Sequence, residues 1–308
     1  MSLFRFFTLF AAALGFACNA VAKPTVVAAQ PLLADFANVV GGDDITLSCL
    51  LNAAADPHSY EPSPTDLRLL VQADLVIVNG LGLDPWVDQV VNNSGFHGRV
   101  VVASEACPVR LPVEKNSPTQ TLDPHGSANS DAHAEWDPHA WHDPANARSY
   151  VLKIRDALKA AAPSSAKVFD DRAATYLARI AELDRYARGQ FGTLPDAQRE
   201  LVTSHDSLRY LAHAYSLKIV PIAGSRPDQE PSARELAELI SFIKKQNVRA
   251  VFFEATSSPA LAQLVAEEAH VAVVRQLCTD GLGAPNSATG TYLGMFRTNV
   301  DTIVGALH

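Results

Sequence analysis

The sequence predicts an α/β fold: two parallel-sheet α/β domains joined by one long rigid helix. Three observations carry that prediction. Short apolar runs alternate with helix-patterned stretches from Lys23 to about Ser104. The same alternation resumes in 195–308. Between the two runs, 163–194 keeps a helical pattern with no internal proline. Strand, helix, strand, helix at this spacing is the pattern of a parallel sheet with helices on its faces.

Taken in order, TVVAAQ at 25–30 reads as a buried strand, and LLADFANVVGG as a helix ended by glycine. DITLSCLL is a second strand, running into DPHSYEP. SPTDLRLLVQA is a helix with Ser63 as its cap and Pro64 at its first position. DLVIVNG and RVVVAS are further short strands. The next segment, PVEKNSPTQTLDPHGSANSDAHAEW, is polar and without periodicity, which predicts a flexible loop at 112–135 and closes an N-terminal domain of 23–142. Helices fill 143–194: PANARSYVLKIRDALKAAA opens at Pro144, and 163–194 follows as one helix. At the usual rise that helix spans about 45 Å, long enough to serve as a strut between domains. In the C-terminal domain, 195–308, ELVTSH, KIVPIAG, RAVFFEA and VAVVRQL read as strands. SLRYLAHAY, SARELAELISFIKKQ, SPALAQLVAEEA and YLGMFRTNVDTIVGAL read as the helices between and after them.

Composition sets outer bounds. A chain of 308 residues, 48% hydrophobic and 19% charged, buries sizeable cores. A net charge of -8 with no basic run excludes nucleic acid as a partner, because phosphate binding needs a basic face. Residues 1–22 stand apart. Arg5, an apolar stretch and Ala20-Val21-Ala22 make a secretory signal peptide cleaved after Ala22, and the mature chain is expected to be exported. Past it, no stretch is long and apolar enough to span a bilayer. Cys49, Cys107 and Cys278 then remain, none in a CxxC spacing. One disulfide and three small buried side chains are both open to them.

The chemistry lies in histidines at element ends. Asp-Pro-His is written three times, at Asp56, Asp123 and Asp137, and four of the ten histidines fall between His125 and His142. Parallel α/β sheets build sites at the carboxyl ends of their strands. His58 follows TLSCLL, His205 follows ELVTS, Asp280 follows VAVVRQL, and His139 stands just before the helix at Pro144. Three histidines and one aspartate make a full four-coordinate set for a borderline metal such as zinc.

The order DPHSYEP, a histidine-bearing loop, DPHAWHDP, a long helix, TSHDSLRYLAHAYSL, FFEATSSPALAQLVAEEA and CTDGLG resembles the metal-binding subunits of ABC-type importers, the ZnuA/TroA-like zinc and manganese proteins. The resemblance covers essentially the whole mature chain. It implies a metal held in the cleft between the two domains by His58, His139, His205 and Asp280, and this ligand set is most similar to that of the AztC-type zinc-binding proteins. It also implies capture outside the cytoplasmic membrane and delivery to an ABC permease with its cytoplasmic ATPase. A periplasmic zinc metallochaperone stands as a further partner, and the chain is expected to be a monomer. Manganese-handling members place glutamate where this chain has His205, and imidazole suits zinc. Zn2+ is therefore the expected ion, with Mn2+ as the alternative.

His125 and His133 belong to the loop, where the resemblance implies metal capture or transfer. His142 stands where the family usually has an apolar residue, so it is open to a role as competing ligand, outer neighbour of the site or exposed side chain. Glu61, Asp206 and Glu254 are candidates to accept from the ligand imidazoles and fix their tautomers. His97, His213, His270 and His308 are assigned to surface or packing. Two rival classes are weaker. A zinc-dependent hydrolase needs an open position for water, yet four protein ligands fill a tetrahedron and no HExxH occurs. A metal-binding adhesin rests on reuse of the fold alone. With ordinary imidazoles, metal affinity is expected to fall steeply below about pH 6 and to change much less between about 7 and 8.

Overall fold

A computed structural model describes residues 23–53, 55–93, 95–113, 135–222, 232–246, 248–254, 259–271 and 273–308. The predicted signal segment 1–22, and with it Ala22 as the cleavage point, lies outside the described residues, as do 114–134 of the predicted loop.

Each half of the chain builds one four-stranded parallel sheet. In the first, β1 (Thr25–Ala28), β2 (Thr46–Cys49), β3 (Leu75–Val78) and β4 (Arg99–Val102) lie in the order β2-β1-β3-β4. In the second, β5 (Glu200–Thr203), β6 (Lys218–Pro221), β7 (Ala250–Glu254) and β8 (Val273–Leu277) repeat that order as β6-β5-β7-β8. The apolar tetrad Leu75-Val76-Ile77-Val78 is buried along its whole length, as expected of a central strand covered on both faces. In such an order the chain leaves the first and third strands in opposite directions, so a crevice opens at their carboxyl ends. In the N-terminal sheet that point lies beyond Ala28 and Val78; in the C-terminal sheet it lies beyond Thr203 and Glu254.

The helices come from local signals. α1 (Pro31–Gly41) starts on proline and stops at Gly42, whose φ of 51° favours glycine. α2 (Pro64–Val71) opens with a capping box between Ser63 and Asp66. α3 (Trp86–Asn93) is a short helix absent from the sequence prediction, although Trp86, Val87, Val90 and Val91 recur at helical spacing. α4 (Pro144–Ala161) is capped by Asp143, whose carboxylate accepts the Ala145 N–H at 2.8 Å. A 3-10 turn, Pro163–Ser165, then leads into α5 (Ala166–Gly192), so the long helix begins three residues later than its sequence pattern suggests. Its 27 residues span about 40 Å. α6 (Arg209–Tyr215), α7 (Ala233–Gln246), α8 (Pro259–Ala269) and α9 (Tyr292–Leu307) complete the C-terminal half.

α5 ties the halves together by packing. It lies on α1 and α4 from the first half and on α9 from the second. Phe36, Tyr150, Tyr176 and Tyr292 meet there edge to face, with Phe36 at the centre and ring centroids 5.0 to 6.2 Å away. Tyr292 of α9 also donates its N–H to Asp35 of α1 at 2.9 Å. Burying side chains of this size contributes roughly 1.5–3 kcal/mol each, so the seam is a core and not a loose interface. A second, smaller cluster, including Val202, Ile243, Val251 and Val265, covers the outer face of the C-terminal sheet. No helix among the described residues is long and apolar enough to cross a membrane.

Candidate metal centre

The two described Asp-Pro-His turns each present one histidine to the crevice between the halves. His58 sits in the 3-10 turn Pro57–Ser59, and Asp56 accepts its backbone N–H at 2.9 Å. His139 stands at the start of the 3-10 turn Ala140–His142, and Asp137 accepts its backbone N–H, again at 2.9 Å. Asn79, at the end of β3, donates to the Pro138 carbonyl at 3.0 Å and accepts from the Tyr150 hydroxyl at 2.7 Å. The third turn, with His125, and His133 after it lie outside the described residues.

From the C-terminal half, His205 follows β5 and Asp280 follows β8. His58, His139, His205 and Asp280 each offer one ligand-type atom, and these atoms all lie within 4.8 Å of one another. The Nε2 atoms of His58 and His139 are 3.2 Å apart. Asp280 Oδ1 lies 3.3 Å from His139 Nε2 and 3.9 Å from His58 Nε2, while Oδ2 lies 3.3 Å from His205 Nε2. A tetrahedral zinc site with bonds of about 2.0–2.1 Å has edges of about 3.3–3.4 Å, so the spacing fits. Both Asp280 oxygens and His205 Nε2 are buried without a hydrogen-bond partner among the described residues. A cation among them would satisfy all three.

Two of the three remaining ring nitrogens are assigned by their neighbours. His139 Nδ1 lies 2.8 Å from Asp137 Oδ1, which makes it the donor and frees Nε2 for an ion. His205 Nδ1 is in direct contact with Glu254 at the end of β7. Glu254 in turn accepts from the Ser207 hydroxyl at 2.9 Å and is buried. Of the three carboxylates expected to orient imidazoles, Glu254 therefore touches one. Glu61 is exposed, and Asp206 lies 3.6 Å from Arg209. Asp137 was not distinguished from its motif by sequence reasoning; its position two residues before His139 was the available signal.

His142 is neither exposed nor one of the four clustered residues. It is buried, and its Nε2 donates to the Thr279 carbonyl at 3.1 Å because the 3-10 turn sends its ring that way. Trp141 Nε1 donates to the same carbonyl at 3.0 Å. Sequence reasoning also missed the α6 side chains. Tyr210 accepts from Leu111 N at 3.0 Å and donates to the Asp137 carbonyl at 2.9 Å, and Arg209 donates to the Pro112 carbonyl at 2.6 Å. They hold the base of the loop, where Pro112 and Trp136 bridge antiparallel.

Charge follows from this packing. Burial works against a charged Asp280, but the three histidines outweigh it and hold the carboxyl well below the usual range. Burial likewise opposes a charged His139, yet Asp137 and Asp280 push it up to about 10. Burial and the neighbouring rings lower His205, with Asp280 pulling the other way. Burial and His139 hold His142 down at about 3. The three cysteines among the described residues are free thiols, with Cys107 buried, Cys278 half-buried and Cys49 exposed.

Two like-built α/β lobes with ligand-type side chains gathered between them are the architecture of a two-lobed binding protein. Over residues 26–306 the chain matches the family of ZnuA, the periplasmic component A of a zinc-uptake complex, and it belongs to that family. The zinc-binding protein TroA of Treponema pallidum is 32% identical over 293 residues, covering 92% of this chain and 89% of that protein. The manganese-binding lipoprotein MntA of Halalkalibacterium halodurans is 30% identical over 282 residues, with 92% and 88% covered. The solved structure of periplasmic zinc-binding TroA from Treponema pallidum gives a TM-score of 0.83 at 30% identity, covering 93% of this chain and 99% of that one. A manganese-bound periplasmic metal-binding protein from Candidatus Liberibacter asiaticus gives 0.79 at 25% identity, with 93% and 100% covered.

Proposed function

We propose that this chain captures one zinc ion outside the cytoplasmic membrane and hands it to the permease of an ABC-type importer driven by a cytoplasmic ATPase. The observation that carries the reading is the convergence of three imidazoles and one carboxylate within 4.8 Å, drawn from both lobes. Zinc is the transported substrate. His58, His139, His205 and Asp280 replace its hydration shell, and Asp137 and Glu254 hold two of the imidazoles in the binding tautomer. Four protein donors leave a tetrahedral ion without a water to activate, so the site suits binding and release and not hydrolysis. The chain works as a monomer in the periplasm after cleavage at Ala22, and a zinc metallochaperone is a further partner. His125 and His133 serve capture or transfer outside the closed site.

Manganese is the second reading, favoured by the name of the MntA relative. Donor chemistry ranks it lower, because three neutral nitrogens suit zinc and added carboxylates suit manganese. Purified chain lacking 1–22 is expected to bind one zinc per molecule in a chelator competition, with manganese at least about 100-fold weaker. His205→Glu should narrow that ratio by about tenfold or more. Absence of tight zinc binding in the wild type overturns the reading; an unchanged ratio in the variant removes His205 from the metal.

A further inference from the structure

Asp280 sits on a stretch of chain that belongs to neither strand nor helix: β8 ends at Leu277. Side chains therefore do what a ladder would otherwise do. Cys278 N donates to Asn299 Oδ1 of α9 at 3.1 Å, and Asn299 Nδ2 donates back to the Cys278 carbonyl. One residue further on, the Thr279 carbonyl receives two ring N–H groups, Trp141 Nε1 at 3.0 Å and His142 Nε2 at 3.1 Å. Both rings come from the turn that follows His139, in the other lobe. All three residues are buried.

The geometry of that carbonyl reaches the ligand directly. The peptide unit is planar, so the direction of the Thr279 C=O also fixes the Asp280 N–H and Cα. A carbonyl oxygen has two lone pairs, and here each is claimed by a different ring. One donor would leave the peptide plane free to pivot about a single contact. Two donors from separate side chains remove that freedom.

We infer that His142 is a positioning residue for Asp280, clamping the Thr279 carbonyl together with Trp141 so that the His139 turn and the Asp280 turn close on the ion as one piece. The inference rests on the zinc-binding reading above. Its Nε2 is committed to the carbonyl, so His142 is not a fifth ligand. An apolar side chain would fill the same space but would leave half the clamp unmade. Release of the ion requires Asp280 to draw away from His139 Nε2, now 3.3 Å distant, and from His205. The clamp resists that movement, so its loss acts on the rate of release more than on capture.

The test compares wild type, His142→Leu and His142→Gln, each loaded with one zinc and mixed with excess chelator in a stopped-flow instrument. His142→Leu is expected to release zinc at least about tenfold faster, and its cobalt-loaded form to lose intensity in the visible bands of four-coordinate cobalt. His142→Gln keeps an N–H within reach of the carbonyl and should stay within about threefold of wild type. Wild-type release and an unchanged cobalt spectrum in a folded His142→Leu overturn the inference and leave the zinc reading standing. Failure of the wild type to hold zinc overturns that reading instead. If His142→Leu does not fold, nitrogen-15 spectra of the histidines in the wild-type protein decide: the Nε2–H tautomer at His142 is expected with and without zinc, and an Nδ1–H tautomer overturns the clamp.

Discussion

In the N-terminal lobe, His58 and His139 each stand two residues after an aspartate that accepts their own backbone N–H at 2.9 Å. A local turn places them, and the same three letters write it twice. In the C-terminal lobe the local contact is weaker in kind, a Thr203 hydroxyl donating to the His205 carbonyl at 2.9 Å, and no Asp-Pro-His recurs. His205 meets Glu254 from a neighbouring strand, 49 positions away in the chain, and Asp280 hangs between Asn299 of α9 and two rings from the opposite lobe. The proposed ligands of one lobe share a short motif, with Asn79 and Tyr210 added from a distance at the His139 turn, and those of the other rest chiefly on long-range contacts. A short motif survives disturbance elsewhere in the fold, whereas a long-range support depends on every element that carries it. The proposed ligands of the C-terminal lobe therefore lean most on contacts made across the fold.

The largest effect should come from the residue that joins both kinds of support. Asp280 is the one anion in the cluster, and its two oxygens face His139 on one side and His205 on the other at 3.3 Å. Asp280→Asn keeps the shape and removes the charge. Leaving buried partners uncompensated typically costs 3–5 kcal/mol, so zinc affinity should fall on the order of a thousandfold by chelator competition. A loss below about tenfold would mean that the N-terminal turns hold the ion without the other lobe.

The contrast also explains what could be read from the chain before its fold was known. The strands were legible because buried parallel strands are short apolar runs, and Leu75–Val78 is such a run with no interruption. α3 was harder to read: Trp86, Val87, Val90 and Val91 keep helical spacing, but no Ser or Thr before it marks a start as Ser63 does for the equally short α2. His58 and His139 announced themselves through Asp-Pro-His. The partnership of His205 with Glu254 left only a hint, a carboxylate at a strand end, because it depends on β5 lying beside β7. The clamp on Thr279 left none: Trp141 is 138 positions away in sequence. His142 was open to three roles because nothing local distinguishes a ring aimed at an ion from one aimed at a carbonyl.

A middle-sized effect separates the two supports. Asp137→Asn and Glu254→Gln each weaken the acceptor that orients one proposed ligand imidazole, and partners of this kind usually account for 10- to 100-fold in metal affinity. Both variants should fall in that range at pH 7.5 by the same competition. A variant with wild-type affinity would show that its imidazole is oriented by packing alone. The two losses alone do not distinguish the lobes, because the same chemistry is removed in each. Their pH dependence does.

The smallest predicted effect is the most specific. Burial opposes a charged His139, but Asp137 and Asp280 raise it to about 10, so before metal arrives its ring carries an extra proton throughout the neutral range. An ion can bind Nε2 only after that proton leaves, and affinity must therefore weaken as pH falls anywhere below about 10. One such proton corresponds to about tenfold in zinc affinity per pH unit. Ordinary imidazoles, half-protonated near pH 6.5, would give a much flatter profile between about 7 and 8. Wild type should thus gain about tenfold in affinity from pH 7 to 8, with close to one proton released per zinc in calorimetry across buffers of different ionisation enthalpy. Asp137→Asn removes the nearer of the two charges that hold the proton and should flatten the profile. Glu254→Gln acts on the other lobe and should leave the slope at about tenfold per unit, since the proton it would disturb is not the one on His139. A flat wild-type profile, or equal flattening in both variants, would break the distinction between a ligand tuned by its own turn and one held from across the fold.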